Sequence, residues 1–178
     1  MSLKKSRIIA VVGTFTLAFI CHFAYEFFPN FIFSIMFPVN ESIWEHMKLL
    51  YSSIIFYGII DYFIGKKLDL KYHNFLFNIA FCSFISILIY LGLFLPFYFK
   101  IGENMFLSIS VLFITYIIVY VISFYILKSV DFDYNYFWIL LILIGYIVFG
   151  YFTYKPIKNH LFFDTKNEIY GNRVKGSG

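Results

Sequence analysis

Ser42-Ile-Trp-Glu-His-Met-Lys-Leu-Leu-Tyr-Ser-Ser-Ile-Ile-Phe-Tyr-Gly-Ile-Ile-Asp-Tyr-Phe-Ile64 decides the class of this chain. A helix needs about 20 mainly apolar residues to cross a hydrocarbon core about 30 Å thick. This stretch is long enough, and it is apolar except at its first turns and at Asp61. Runs this long without a period of two predict helices rather than a barrel.

Four further runs read the same way, at 8–28, 74–99, 105–127 and 136–154. They are bounded by Pro29, Gly65-Lys66-Lys67, Lys100-Ile-Gly102, Lys128 and Lys155-Pro156. The expected fold is therefore an all-α membrane protein, one bundle of about five transmembrane helices, with a tail over 155–175. Gly176-Ser177-Gly178 reads as a cloning scar.

Composition agrees. Only 13% of the 178 residues are charged, against 61% hydrophobic and 25% aromatic. A soluble domain carries about 25% charged residues, so lipid is the expected solvent. The net charge of +4 is spread over ends and loops with no basic cluster, which argues against a nucleic-acid partner. Membrane lipids are the expected partners, and five spans in a short chain are compatible with a homodimer. Cys21 and Cys82 lie in apolar runs, where a thiol acts as a small hydrophobe rather than half of a disulfide.

Lys4, Lys5 and Arg7 precede the first span; Lys66, Lys67 and Lys71 follow the second. Basic residues favour the cytoplasmic side, so the expectation is a multi-pass protein of a bacterial plasma membrane with its N-terminus in the cytoplasm. The first run ends in Tyr25-Glu26-Phe27-Phe28 with no small-residue cleavage site. It reads as a span rather than a signal peptide.

Ionisable residues inside a membrane are costly and are functional candidates by default. Here they concentrate at one end of the first two spans. His22 and Glu26 are four apart, on one helical face. After a short connector come Asn40, Glu41, Ser42, Trp44, Glu45, His46 and Lys48.

A helical wheel separates the second span into two polar stripes: Glu41, Glu45, Lys48 and Ser52 on one, and Ser42, His46, Ser53, Tyr57 and Asp61 on the other. One stripe can face His22 and Glu26 and the other the bundle; spacing does not say which. Capping accounts for part of the set. Asn40 and Ser42 are N-cap types, and Ser42-Ile-Trp-Glu45 is a capping-box pattern. Trp44 reads as an interfacial anchor, Glu41 with Lys48 as an ion pair, and Asp61 as snorkelling towards Lys66.

Two His and three Glu at one depth exceed what capping requires. Imidazole with carboxylate is the ligand set of a catalytic zinc ion. His22, His46 and Glu26 are the expected ligands, with Glu45 as an alternative, Glu41 or Glu45 as general base and Ser42 in the catalytic set. The same residues, continued through Tyr57 and Asp61, also suit a proton or cation relay. The tail keeps Ile157, Leu161, Phe162 and Phe163 as apolar anchors and is expected to pack back near the cluster, carrying His160 and Asp164.

The runs His22-Phe-Ala-Tyr-Glu26, Val39-Asn-Glu-Ser-Ile-Trp-Glu-His-Met-Lys48, Ile60-Asp-Tyr62 and Leu161-Phe-Phe-Asp164 with Tyr170-Gly171 resemble a family of small bacterial integral membrane proteins classed as a domain of unknown function. That resemblance implies membrane class and groups the motifs. It brings no activity. Ser42-x-x-x-His46 is also similar to an element of the ceramidase and receptor-like intramembrane metal hydrolases, although those have seven spans, a membrane-embedded Asp and a later His pair. The expected function is a membrane-embedded, metal-dependent hydrolase of a lipid or lipid-linked substrate at the outer face. The alternatives are a proton- or cation-coupled transport protein and a non-catalytic partner subunit.

Overall fold

A computed structural model describes residues 1–102, 104–131 and 134–172. The expected scar at 176–178 and the last part of the tail, 173–175, lie outside the described residues. The described residues form six helices: α1 (Leu3–Phe27), α2 (Phe31–Met36), α3 (Ile43–Lys67), α4 (Phe75–Ile101), α5 (Met105–Ile126) and α6 (Asn135–Tyr154). All but α2 are long and apolar enough to cross a membrane.

The ends follow local chemistry. The Ser2 hydroxyl caps α1, so the helix begins five residues before the expected apolar run and carries Lys4, Lys5 and Arg7 as helical residues. Asn104 Oδ1 accepts the Leu107 N–H at the start of α5, and Gly102, at φ 76°, ends α4. Helix α2, inside the connector, is too short to leave a periodic signal. Asn30 caps it through the Phe33 N–H.

Helices α1, α3, α4 and α5 form a closed ring of neighbours, and α6 packs outside it against α4 and α2. About 67% of the apolar stretch of α3 is buried inside the protein, against 22–39% in the other spans. The central helix is thus the least hydrophobic one. It can carry polar side chains because protein, not lipid, surrounds them.

One core fills the ring around Leu50, Ile54, Tyr116 and Val119; a second joins Met47, Tyr51 and Ile55 of α3 to Ile79 and Phe149. Large apolar residues such as Phe99 and Phe106 stay exposed on the outer faces, as lipid contact requires. In α4 and α5 the hydroxyls mostly bond backbone one turn back: Ser83 donates to Ala80 O, Ser86 to Ser83 O and Thr115 to Val111 O.

The two stripes of α3 face opposite ways. Lys48 and Ser52 bond Ser34 O and Met36 O of α2. Ser53 meets Tyr116 of α5, Tyr57 packs where Gly13 of α1 leaves room, and Asp61 reaches Arg7 of α1.

After α6 the chain turns back as a two-stranded hairpin, β1 (Phe163–Asp164) and β2 (Ile169–Tyr170), antiparallel with Phe163 opposite Tyr170.

Candidate functional site

The site begins with how α3 starts. Asn40 Oδ1 accepts the Ser42 N–H at 2.9 Å, and Ser42 Oγ accepts the Glu45 N–H at 3.3 Å. Ser42 is therefore the N-cap, and only half of the expected capping box forms. Glu41 precedes the cap, outside the helix, so the 100° wheel does not apply to it. It leaves the stripe of Glu45 and Lys48 and turns to the opposite side, towards His22 and His46.

Glu41 Oε1 lies 3.7 Å from His22 Nε2, and Oε2 lies 3.5 Å from His46 Nε2. The imidazoles stack at 5.6 Å between centroids, 24° from parallel. All three side chains are 24–31% exposed, within reach of water yet largely enclosed. His46 Nδ1 is 3.0 Å from the Ser42 carbonyl oxygen. His22 Nδ1 is buried without a hydrogen-bond partner among the described residues. Glu26, one turn beyond His22, is exposed and lies within electrostatic reach of it, as does Lys166 from the tail.

Beside the trio is a cavity of about 20 Å³, room for a water molecule but not for an organic substrate. Glu41 and His46 line it together with Tyr90 and Phe94 of α4 and Phe163 and Thr165 of the hairpin.

The tail does pack on this end, held by backbone contacts. Asp164 is fully buried. Its carboxylate accepts the N–H groups of Glu41, Lys166 and Asn167, each at 2.9 Å, and the Asn167 side-chain amide at 2.8 Å. The Trp44 N–H donates to Leu161 O, and the Asn40 amide donates to Gly171 O. Gly171 sits at φ 60° with Thr153 O where a Cβ would be, so the turn admits glycine alone. Trp44 stacks on Phe162 at 4.7 Å and touches Phe149 and Phe152. It clamps the tail to α6. His160 stays exposed on the surface.

A family model described as Family of unknown function (DUF6512) matches residues 1–172. The chain belongs to this family. No curated protein and no solved structure matches it.

In this DUF6512 chain, Glu45 stands apart from the trio. It is 1% exposed, and Lys48, three residues on, is fully buried. Lys48 Nζ is 2.5 Å from Glu45 Oε2 and donates to Ser34 O at 2.7 Å and Thr153 Oγ1 at 2.8 Å. Glu45 also accepts the Val39 N–H and the Thr153 hydroxyl, both at 3.0 Å. Every strong donor and acceptor of the pair is used, which is the condition for burying charge. The expected Glu41–Lys48 pair is thus replaced by Glu45–Lys48, and the Glu45 carboxylate is engaged by Lys48, Val39 and Thr153.

At the other end of the bundle Asp61 is paired with Arg7, not with Lys66. Arg7 is 4% exposed, so it does not act as a surface charge. Its guanidinium also donates to Ser6 Oγ at 2.9 Å, Tyr72 OH at 3.1 Å and Ser123 Oγ at 3.3 Å, and lies over the Tyr72 and Tyr120 rings. The Tyr72 hydroxyl completes the shell, donating to Asp61 Oδ1 at 3.0 Å.

Sequence reasoning missed Arg7, Tyr72, Ser34 and Thr153 as partners of the buried charges. A charge within the first turns of an apolar helix was the available signal for Arg7. The other three, ordinary polar residues far along the chain, gave none.

Proposed function

We propose that the chain is a membrane-embedded, metal-dependent hydrolase acting on a lipid or lipid-linked substrate at the membrane face opposite its N-terminus, with His22, His46 and Glu41 as metal ligands. One observation carries this reading. The Ser42 carbonyl only accepts, so the hydrogen bond to it puts the His46 proton on Nδ1. The neutral ring then turns the Nε2 lone pair towards Glu41 Oε2. Two acceptors 3.5 Å apart call for a cation between them, a metal ion or a second proton on the ring. A histidine whose far nitrogen is fixed by a carbonyl is also the usual form of a metal-ligating histidine.

Two imidazoles and one carboxylate match a three-ligand zinc site with an open position. Among the described residues no three His, Cys, Asp or Glu side chains, as they stand, are gathered closely enough to hold an ion. Zinc ligands at about 2.0–2.1 Å lie about 3.4 Å from one another in a tetrahedron. The Glu41 Oε2–His46 Nε2 separation of 3.5 Å is close to that edge, while the 3.7 Å to His22 Nε2 is taken from the other carboxylate oxygen. Zinc binding here requires the Glu41 side chain, on a loop residue, to turn one oxygen towards both imidazoles.

A bound zinc ion would supply hydroxide near neutral pH. Glu26, exposed beside His22, is the carboxylate left to take a proton from the attacking water. Tyr90, Phe94, Phe163 and Thr165 wall the water-sized cavity, which suits it to hold the attacking water while the lipid stays in the membrane at its mouth. We assign the N-terminus to the cytoplasm of a bacterial plasma membrane, supported by Lys4, Lys5, Lys66, Lys67 and Lys71 at that end.

A second reading, a proton-coupled transport protein, has its own support. Buried hydroxyl pairs lie between the two charged ends: Ser53 with Tyr116 at 2.7 Å, and Thr14 with Tyr120 at 2.5 Å, the latter ring beside Arg7. One experiment separates the two readings. Chelator-treated protein in nanodiscs is assayed on lipid esters and amides with and without zinc, and in liposomes for proton flux. Zinc-restored hydrolysis that Glu41→Gln abolishes and Asp61→Asn retains supports the hydrolase. Proton flux lost in Asp61→Asn, without hydrolysis, overturns it.

A further inference from the structure

We propose that the lipid-facing groove between α1 and α5, at the end of the bundle bearing the N-terminus, holds one anionic phospholipid. The groove encloses about 590 Å³, and its walls are apolar, formed by Val11 and Val12 of α1 and Phe113, Ile117 and Val121 of α5. A volume of this size lies in the range of ligand pockets. Along α5 the lining runs from Phe113 to Tyr125, about 18 Å at 1.5 Å per residue. Half of a hydrocarbon core about 30 Å thick is about 15 Å, so the groove is as long as one leaflet and takes one acyl chain.

Charge identifies the headgroup. Lys4 and Arg7 line the groove at its membrane-surface end. Lys128 Nζ sits 5.1 Å above the ring of Phe124, another lining residue. Asp61 neutralises Arg7. Lys4 and Lys128 are both exposed, and among the described residues neither enters an ion pair. Two exposed ammonium groups, outside any ion pair among the described residues, at the mouth of an apolar groove match a phosphate on an acyl chain, and basic pockets between transmembrane helices recognise lipid headgroups in this way.

The test is lipid retention. The full chain is purified from nanodiscs containing equal phosphatidylglycerol and phosphatidylcholine, and bound lipid is counted by native mass spectrometry. Wild type should retain one phosphatidylglycerol in preference to phosphatidylcholine. Lys4→Gln and Lys128→Gln should each weaken retention roughly fivefold, and the pair about 25-fold. Val12→Trp, which fills the groove and leaves the charges, should abolish retention while the protein stays monodisperse and helical. Equal retention of both lipids, or phosphatidylglycerol binding indifferent to these substitutions, overturns the proposal. So does a wild-type dimer that Val12→Trp dissociates, since the groove would then belong to a second copy of the chain.

Discussion

Lys48 Nζ and Glu45 Oε2 are 2.5 Å apart in the protein interior, both side chains at most 1% exposed. The pair ties the start of α3 to α2 through Ser34 O and to α6 through Thr153, so three elements share one ionic contact.

Removing one member strands the other. Lys48→Met or Glu45→Leu alone should cost about 3–5 kcal/mol, because each leaves an uncompensated buried charge. The double variant should recover most of that loss. Thermal unfolding in detergent reads all three. If Lys48→Met unfolds like wild type, the pair is not what holds α2 and α6 to the central helix.

Asp61 and Arg7 make the same prediction for stability and a different one for function. Asp61→Asn should lower the unfolding midpoint while leaving any metal bound by His22, His46 and Glu41 in place. These groups lie about 20 Å away along α3, at 1.5 Å per residue from His46. Metal content measured on the folded fraction checks it. Loss of metal with Asp61 would mean that the two ends are one functional unit.

Asp164 governs the tail, and pH should reveal it. Burial pushes its carboxyl up, but the hydrogen bonds from the Asn167 side chain and from the backbone of Glu41, Asn167 and Lys166 outweigh burial and hold it below the usual carboxylate range. A group whose folded pKa is depressed contributes stability above its unfolded pKa, about 3.9 for Asp, and loses it as pH falls through the folded value. Tail docking should therefore be constant from neutral pH to about pH 5 and fail only below about pH 4. Fluorescence of Trp44, which stacks on Phe162, reports docking in a Trp138→Phe background. A transition near neutral pH would show that histidines, not Asp164, hold the tail.

Gly171→Ala should undock the tail at all pH values, since a Cβ there meets Thr153 O. Limited proteolysis at Lys158 and Lys166 should accelerate against wild type, with the helical bundle intact. Unchanged cleavage would mean the turn relaxes without loss.

The bundle was legible because each span is a long apolar run, and nothing about partners was needed to find it. The polar residues were legible as a set and not as pairs. Glu45 and Lys48 stand three apart on one stripe and were readable together, but Thr153, which completes their shell, is more than 100 residues on. Arg7 reads in sequence as a topology signal; only the packing of α1 against α3 makes it the partner of Asp61, 54 residues away. Glu41 falls outside the stripe that a helical wheel gives it because it stands one residue before the N-cap, where the backbone is not helical. Spacing pairs Glu26 with His22, and Glu26 lies within electrostatic reach of it; Glu41, held by Asp164 of the tail through its backbone, adds a carboxylate oxygen near the Nε2 of each imidazole.

The most direct test of the central claim is the metal content of protein purified without chelator, by mass spectrometry, for wild type, His22→Ala, His46→Ala and Glu41→Gln. The proposed ligand set predicts close to one zinc per chain in wild type and loss of it in each variant, with the variants still folded. Metal-free wild type, or zinc retained when Glu41 is replaced, would contradict it. The Glu41–His46 contact would then be an ion pair with a doubly protonated imidazole.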